Sequence, residues 1–235
     1  MTDNLNKIKQ TLLIERLFDF LNSTTGIVHN LSNPLTIIAA RAQLLQMKMP
    51  ENSNFKIMAD QSKTIESILN NLVFISQNLV DEERRQVDIN TLMKNEMEFL
   101  NADPLFKHNV NKDFQYYPGS LTTNSSYFHI ATLVSCIMQV LLIHLKNCIE
   151  KVIKIRTVKT SDSASIRIIS DTKILEMSEI QKILSHSTSK SVKIANPPIQ
   201  ILYDANLIAK EMGITLTINS KETGTEFTIS IPIIK

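Results

Sequence analysis

Glycine is scarce in this chain: 4 residues in 235, against the roughly 7% usual for soluble proteins. Backbone that must pass close to a ligand, or take a left-handed conformation, has almost no residue suited to it. Tryptophan is absent, and cysteine occurs only as Cys136 and Cys148, twelve apart in an apolar stretch without metal-type pairing. They read as buried reduced thiols rather than a disulfide or a zinc site. Neither sign of charge dominates. With 25 basic and 23 acidic residues the net charge is +2, which gives no electrostatic ground for nucleic acid or an anionic membrane as partner. Residues Met1 to Gln10 are polar and hold no signal-peptide core. The apolar run Ile130 to Ile143 includes Thr132, Ser135 and Gln139, and at 14 residues is too short to span a bilayer. These absences point to a soluble, cytoplasmic protein, in which the sequons at Asn22, Asn30 and Asn124 are chance matches. At 43% hydrophobic the chain can bury the cores of one or two domains.

What is present begins with a seven-residue period. One row is Leu21, Val28, Leu35, Ala42 and Met49; a second is Thr24, Leu31, Ile38 and Leu45. Alternating steps of three and four predict a seamed helix, broken at Lys48-Met49-Pro50-Glu51-Asn52-Ser53. The period resumes with Met58, Ile65, Leu72 and Leu79, beside Ile68 and Ile75. Two such helices joined by a short loop form an antiparallel hairpin. A hairpin has too small a core alone, so two copies are expected to pair into a four-helix bundle, making the protein a homodimer. The alternative is that the hairpin packs on the chain's own C-terminal half.

The charged run Asp81-Glu82-Glu83-Arg84-Arg85 places a boundary between a helical domain, 1–83, and a second domain, 84–235. In the second, helices are expected over Ile89 to Leu100, Tyr127 to about Glu150 (capped by Ser125 or Ser126), Met177 to Leu184 and Pro198 to Met212. Strands are expected at Asn109 to Gln115, Ile153 to Thr160, Ala164 to Ser170, Ile214 to Asn219 and Glu226 to Ile233. This order predicts a two-layer α/β sandwich.

Four stretches in order carry a family likeness: His29 through Leu35, Gln86-Val87-Asp88-Ile89-Asn90, Gln139 through Glu150, and Thr223-Gly224-Thr225-Glu226-Phe227-Thr228-Ile229 with Ile231-Pro232. From about residue 17 onward the chain resembles the catalytic core of two-component sensor histidine kinases. The first stretch resembles their H-box and the third their N-box. The resemblance implies a dimeric phosphoacceptor hairpin followed by an ATP-binding domain. His29 would be the phosphoacceptor. Asn33 would take the place of the residue that positions water for dephosphorylation of a partner. Asn147 would be the asparagine that holds Mg²⁺ on the phosphates, and Asp171 the aspartate that reads the adenine amino group. With Thr225 these form the remnant nucleotide site.

The physics of the first stretch stands apart from the resemblance. Val28 lies on the seam, so His29, about 100° further round, faces outward. Pro34 cannot donate to the Asn30 carbonyl, which loosens or bends the helix beside the histidine. A solvent-exposed imidazole is substantially neutral at pH 7 and can attack phosphorus. His108, His129, His144 and His186 have no recognisable partners and read as structural.

Three departures from the family pattern bear on function. Asn30 stands where those kinases carry an acid; it can orient the imidazole but cannot take up its proton, so autophosphorylation is expected to suffer. Ile143 stands at the earlier polar position of the N-box and cannot ligate a hard cation. Lys173 and Leu175 replace the glycines after Asp171. Between Lys190 and Leu207, where the family has a glycine-rich lid, the chain reads Ala195-Asn196-Pro197-Pro198-Ile199-Gln200, stiff and short of N–H donors. Lys190 and Lys193 remain as basic residues of that loop.

The reading that accommodates all three is a phosphorelay histidine phosphotransfer protein. It would carry a phosphoryl group between receiver-domain aspartates through His29 without binding ATP, the receiver supplying Mg²⁺. Ile27, Asn30, Asn33 and Ile37 would be neighbours of His29 on the docking surface. Two alternatives stay open: a divergent ATP-dependent kinase, which would need ATP and Mg²⁺, and a non-enzymatic pseudokinase scaffold that binds a response regulator or kinase.

Overall fold

The heptad rows build a helix longer than their own extent. In the computed structural model, which describes residues 2–79, 81–185 and 194–233 (with side chains from Leu12 on), helix α1 spans Thr2–Lys48 without interruption. Helix α2 spans Ser53–Asn78, its N-terminus capped by Asn52, whose side chain accepts from the Asn54 N–H at 3.1 Å. The pair forms one compact unit, up to Val80. Its seam is made of small and β-branched residues: Thr24, Val28 and Ala42 on α1 meet Ala59, Ser62, Ile75 and Ser76 on α2, all buried. Small side chains let the two backbones approach closely. Beyond Thr24, the second row stays outside this seam, with Leu31 50%, Ile38 47% and Leu45 38% exposed on α1, and Ile65 46% and Ile68 51% exposed on α2.

The second unit, from Asp81, is a two-layer α/β structure. In chain order it comprises β1 (Arg85–Asp88), α3 (Ile89–Leu100), α4 (Pro104–Asn109), β2 (Asn111–Gln115), β3 (Thr122–Ser125), α5 (Tyr127–Leu145), β4 (Val152–Lys159) and β5 (Ser163–Ser170). It ends with α6 (Met177–Ser185), α7 (Pro197–Glu211), β6 (Thr215–Lys221) and β7 (Gly224–Pro232). The main sheet has the order β2-β4-β5-β7-β6, parallel only between β2 and β4; β1 and β3 form a separate antiparallel pair. Burial alternates along β4, β6 and β7, so one sheet face is covered. Ile155, Ile166, Ile168, Phe227 and Ile229 on that face, and Ile137, Leu141, Leu202 and Ala205 from α5 and α7, are all fully buried.

Helix α5 is long and apolar enough to cross a membrane, but half of it is buried in this unit, with Ile130, Leu133, Ile137, Leu141 and Leu145 at 0% exposure, as a core helix requires. Its start follows the sequence, since Ser126 provides the cap. Its end does not: the helix stops at Leu145 rather than near Glu150. Asn147 is a poor helix residue, and the Lys151 ammonium reaches back to the Cys148 carbonyl, turning the chain into β4. Helix α4 was not expected at all, although Asp103-Pro104 carries its signal. Asp103 accepts from the Phe106 N–H at 2.9 Å and Pro104 opens the first turn.

A buried hydrogen-bond network ties the layers together. The Asn90 amide donates to the Tyr117 and Gly119 carbonyls at 3.0 and 2.9 Å, and its oxygen accepts from the Thr157 hydroxyl at 2.6 Å. Asp88 caps α3 through the Thr91 N–H and accepts from the Leu121 N–H at 3.1 Å. Burial works to raise its pKa, but these bonds outweigh it and hold the carboxyl below its ordinary value. Glu96 is the opposite case. Burial raises its pKa, against the pull of the Tyr127 hydroxyl that donates to it at 2.8 Å.

A raised folded-state pKa makes a stability contribution that is complete below the unfolded value and is lost as pH rises through the folded value. Relative to Glu96→Gln, which keeps the acceptor without the charge, the wild type is therefore expected to lose melting temperature as pH rises above about 4.5, the ordinary value for a glutamate. Parallel pH profiles for the two proteins would rule this out.

Candidate functional site

His29 stands on α1 at the position where two local features meet. One is the buried Val28, at 4% exposure, which fixes the helix rotation and turns the imidazole to solvent. The other is Pro34, inside the helix, which denies the Asn30 carbonyl its usual donor. The helix nevertheless runs on unbroken, with Thr36 bonding back to the Ser32 carbonyl at 2.9 Å. At about 100° per residue, Asn33 lies about 40° and Ile37 about 80° from His29, on the same side. Asn30 is about 100° away, and Ile27 about 160°, on the opposite side. Ile27 is thus removed from the expected set of neighbours. Asn30 and Asn33 are both exposed.

The second constellation lies in the other unit, where β5 ends. Asp171 is exposed, but both its carboxylate oxygens take the Lys154 ammonium, each at 2.8 Å. Lys173 reaches Glu222 at 2.8 Å and Glu176 at 3.0 Å, and Leu175 is buried at 3% exposure. Together these pairs raise the Lys173 pKa, chiefly through its hydrogen bonds to Glu222 and Glu176. Thr225 is 1% exposed; its hydroxyl accepts from the Ile174 N–H at 2.9 Å, donates to the Thr172 carbonyl at 3.1 Å and meets the Ser220 hydroxyl at 2.9 Å. The segment after β5 is thereby clasped to the β6–β7 turn. Gly224 makes the clasp possible: with φ at +142°, a Cβ there would meet the Ser170 carbonyl oxygen at 2.4 Å.

The structure therefore brings Asp171 and Thr225 to one end of the sheet. Asn147 is exposed in the turn between α5 and β4, with its N–H bonded to the His144 carbonyl at 3.3 Å; β4 starts at the same end of the sheet, Ile153 pairing with Ser170 and Ser170 with Thr225. Ile143 is 47% exposed and, with Leu100, Pro104, Leu105 and Leu142, lines an apolar groove of about 500 Å³. Helix α7 opens with Pro197 and Pro198, so two of its first N–H donors are missing. Gln200 turns back to accept the Ile194 N–H and donates to Asp204 at 2.9 Å. Lys190, Lys193 and His186 lie outside the described residues.

No protein-family model matches this sequence, and no curated protein matches it. Solved structures do. The histidine kinase ThkA, in its complex with the response regulator protein TrrA, superposes with a TM-score of 0.51 at 18% identity, over 94% of this chain and 64% of that one. The nucleotide-free catalytic domain of ThkA matches at 0.50 and 17%, over 64% of this chain and 95% of that one. Full-length ShkA, in complex with AMPPNP, matches at 0.52 and 11%, over 90% of this chain and 45% of that one. The chain thus spans less than two thirds of the ThkA chain in the complex and less than half of ShkA. Its fold is that of a histidine-kinase core, a helical hairpin followed by an α/β domain of the ATPase type.

The glycines give a direct test of this geometry. Gly224→Ala is expected to lower stability by about 1–3 kcal/mol or more through strain and collision. Gly26→Ala, mid-helix with nothing within 4 Å, should instead stabilise the hairpin by roughly 0.5–1 kcal/mol. Urea midpoints decide; a wild-type midpoint for Gly224→Ala would refute the close approach.

Proposed function

We propose that this protein is a histidine phosphotransfer intermediate, carrying a phosphoryl group between receiver-domain aspartates on His29 without binding ATP. The observation that carries the reading is a contrast between the two sites. His29 stands open on its helix, whereas Asp171 and Thr225, the residues expected to meet a nucleotide, are already engaged by Lys154 and by their own backbone. A helix N-terminus opened by two prolines has few N–H groups left for phosphate oxygens.

The chemistry asks little of this chain. A ring nitrogen of neutral His29 attacks the phosphorus of an aspartyl phosphate. A P–N bond forms, the P–O bond to the aspartate breaks, and the carboxylate leaves with the electron pair. The proton on the far ring nitrogen would be held by a hydrogen bond to an amide oxygen, a role we assign to Asn30 or Asn33. The receiver brings its own Mg²⁺ and aspartate. Transfer to a second receiver reverses these events.

The response regulator bound to ThkA makes a receiver the partner of choice for this hairpin. The row Leu31, Ile38 and Leu45, with Ile65 and Ile68, suits a second copy, giving a dimeric four-helix bundle in the cytoplasm. A second reading, a divergent ATP-dependent kinase, draws on the retained Asn147, Asp171 and Thr225 and on the AMPPNP bound to ShkA. A non-enzymatic scaffold is the third.

Isothermal titration with a non-hydrolysable ATP analogue and Mg²⁺ separates the first two. The expected result is no heat at millimolar nucleotide with folded protein; micromolar binding would sink the ATP-independent reading. His29→Gln separates the first from the third. Transfer should vanish while receiver binding persists; transfer surviving the substitution would exclude His29 as carrier.

A further inference from the structure

The main sheet ends differently on its two sides. One end is β2, 5 residues long, carrying Lys112 and Asp113, with Arg156 of the neighbouring strand bound to the Asp113 carboxylate. A short, charged strand of this kind resists the addition of a further strand. The other end is β6, 7 residues long. From Thr215 to Ser220 it has no charge, no proline and no glycine, and its register with β7 runs without a bulge from Thr215 to Lys221. Charge, proline and bulges are the devices by which natural sheets blunt an edge, and over this stretch all three are missing. Side chains alternate along the strand, with Leu216, Ile218 and Ser220 buried and Thr215, Thr217 and Asn219 exposed.

The hairpin turn fixes which backbone groups face outward. Glu222-Thr223 is a two-residue turn, and the pair flanking such a turn, Lys221 and Gly224, exchanges both its hydrogen bonds. Bonded pairs then recur at every second residue, at Asn219, Thr217 and Thr215. Leu216, Ile218 and Ser220 therefore direct their N–H and C=O groups away from β7. Among the described residues, no strand pairs with that side of β6 and no other backbone group bonds to it. The edge is a row of alternating donors and acceptors ready for another strand.

We infer that β6 pairs antiparallel with β6 of a second copy, across a two-fold axis at Ile218, joining two sheets edge to edge. The strand fits itself. The axis sets Leu216 against the partner's Ser220 and Thr217 against the partner's Asn219, and the outward groups meet in about six hydrogen bonds. No like charges face each other, since Lys221 stands opposite the partner's Thr215. Strand β2 of another copy offers no such match, because its Lys112 and Asp113 would meet only uncharged side chains. The contact is isologous and lies apart from the apolar row on the hairpin, so a chain that uses both forms assemblies larger than a dimer. It does not depend on the phosphotransfer reading.

The test is the mass of the full chain in solution, by sedimentation velocity from about 1 to about 300 µM. The wild type should double in mass with concentration, from two copies to four where the hairpins have already paired, or from one to two where they have not. Thr217→Lys combined with Asn219→Lys leaves the buried face untouched and sets like charges opposite each other on both sides of the axis. This variant should keep the wild-type circular dichroism and melting temperature, and its doubling should weaken about tenfold or more. Mixed in equal amounts with Thr217→Glu combined with Asn219→Glu, it should regain the wild-type assembly, because opposite charges then meet. A wild-type mass that stays constant over the range would overturn the pairing and leave the edge to an extended segment of another protein. The pairing would equally be overturned by a lysine variant that doubles as the wild type does, or by a folded mixture of the two variants that stays apart.

Discussion

The close contact between α1 and α2 governs what the hairpin can do. Thr24, Val28 and Ala42 lie with Ala59, Ser62, Ile75 and Ser76 in a buried seam in which most side chains are small. Because this seam is narrow, the bulky members of the heptad rows are left outside it. Because Val28 is committed to it, the rotation of α1 is fixed and His29 has only one direction to face. A seam of leucines would have held the helices further apart and hidden more of the apolar surface, leaving less for partners.

In the second unit the controlling feature is polar. Asn90 satisfies two carbonyls and one hydroxyl in a largely buried position, joining the start of α3 to β4 and to the turn at Gly119. Buried networks of this kind rigidify when complete. The far end of the sheet shows the same habit. Lys154, Lys173 and Thr225 hold a loop by side-chain contacts where a ligand-binding loop would be left open, and Gly224 admits the backbone contact beneath them. The fold persists there while its polar groups are turned on one another.

Much of the architecture was legible because it is periodic. The heptad rows located both helices of the hairpin, and alternation located β4 to β7. The side of α1 that holds His29 followed from Val28 alone. Other features depend on contacts between distant residues and left no periodic trace. The early end of α5 turns on Lys151 reaching Cys148, and the removal of Ile27 from the neighbourhood of His29 needs the angle between them rather than their spacing. The pairing of Lys154 with Asp171 joins residues 17 apart on adjacent strands, and no local pattern announces it. The scarcity of glycine was informative in both directions. It raised the expectation of lost loops, which rests with the proposed function, and Gly224 at the end of the sheet sits where a side chain would strike backbone.

Helix α1 is a 47-residue rod with one missing rung. Pro34 leaves the Asn30 carbonyl without its intrahelical donor, so the bending stiffness of the rod has its minimum in the turn that follows His29. Thermal bending concentrates at such a point. The stretch that carries the imidazole can then tilt by small angles against the Ile37–Met47 stretch while the contacts of each with α2 stay in place. A phosphoryl group passed in line requires the attacking atom to arrive along a narrow path. Under the phosphotransfer proposal, a compliant turn beside the histidine would let the nucleophile find that path after a partner is seated, at little elastic cost to either half of the helix.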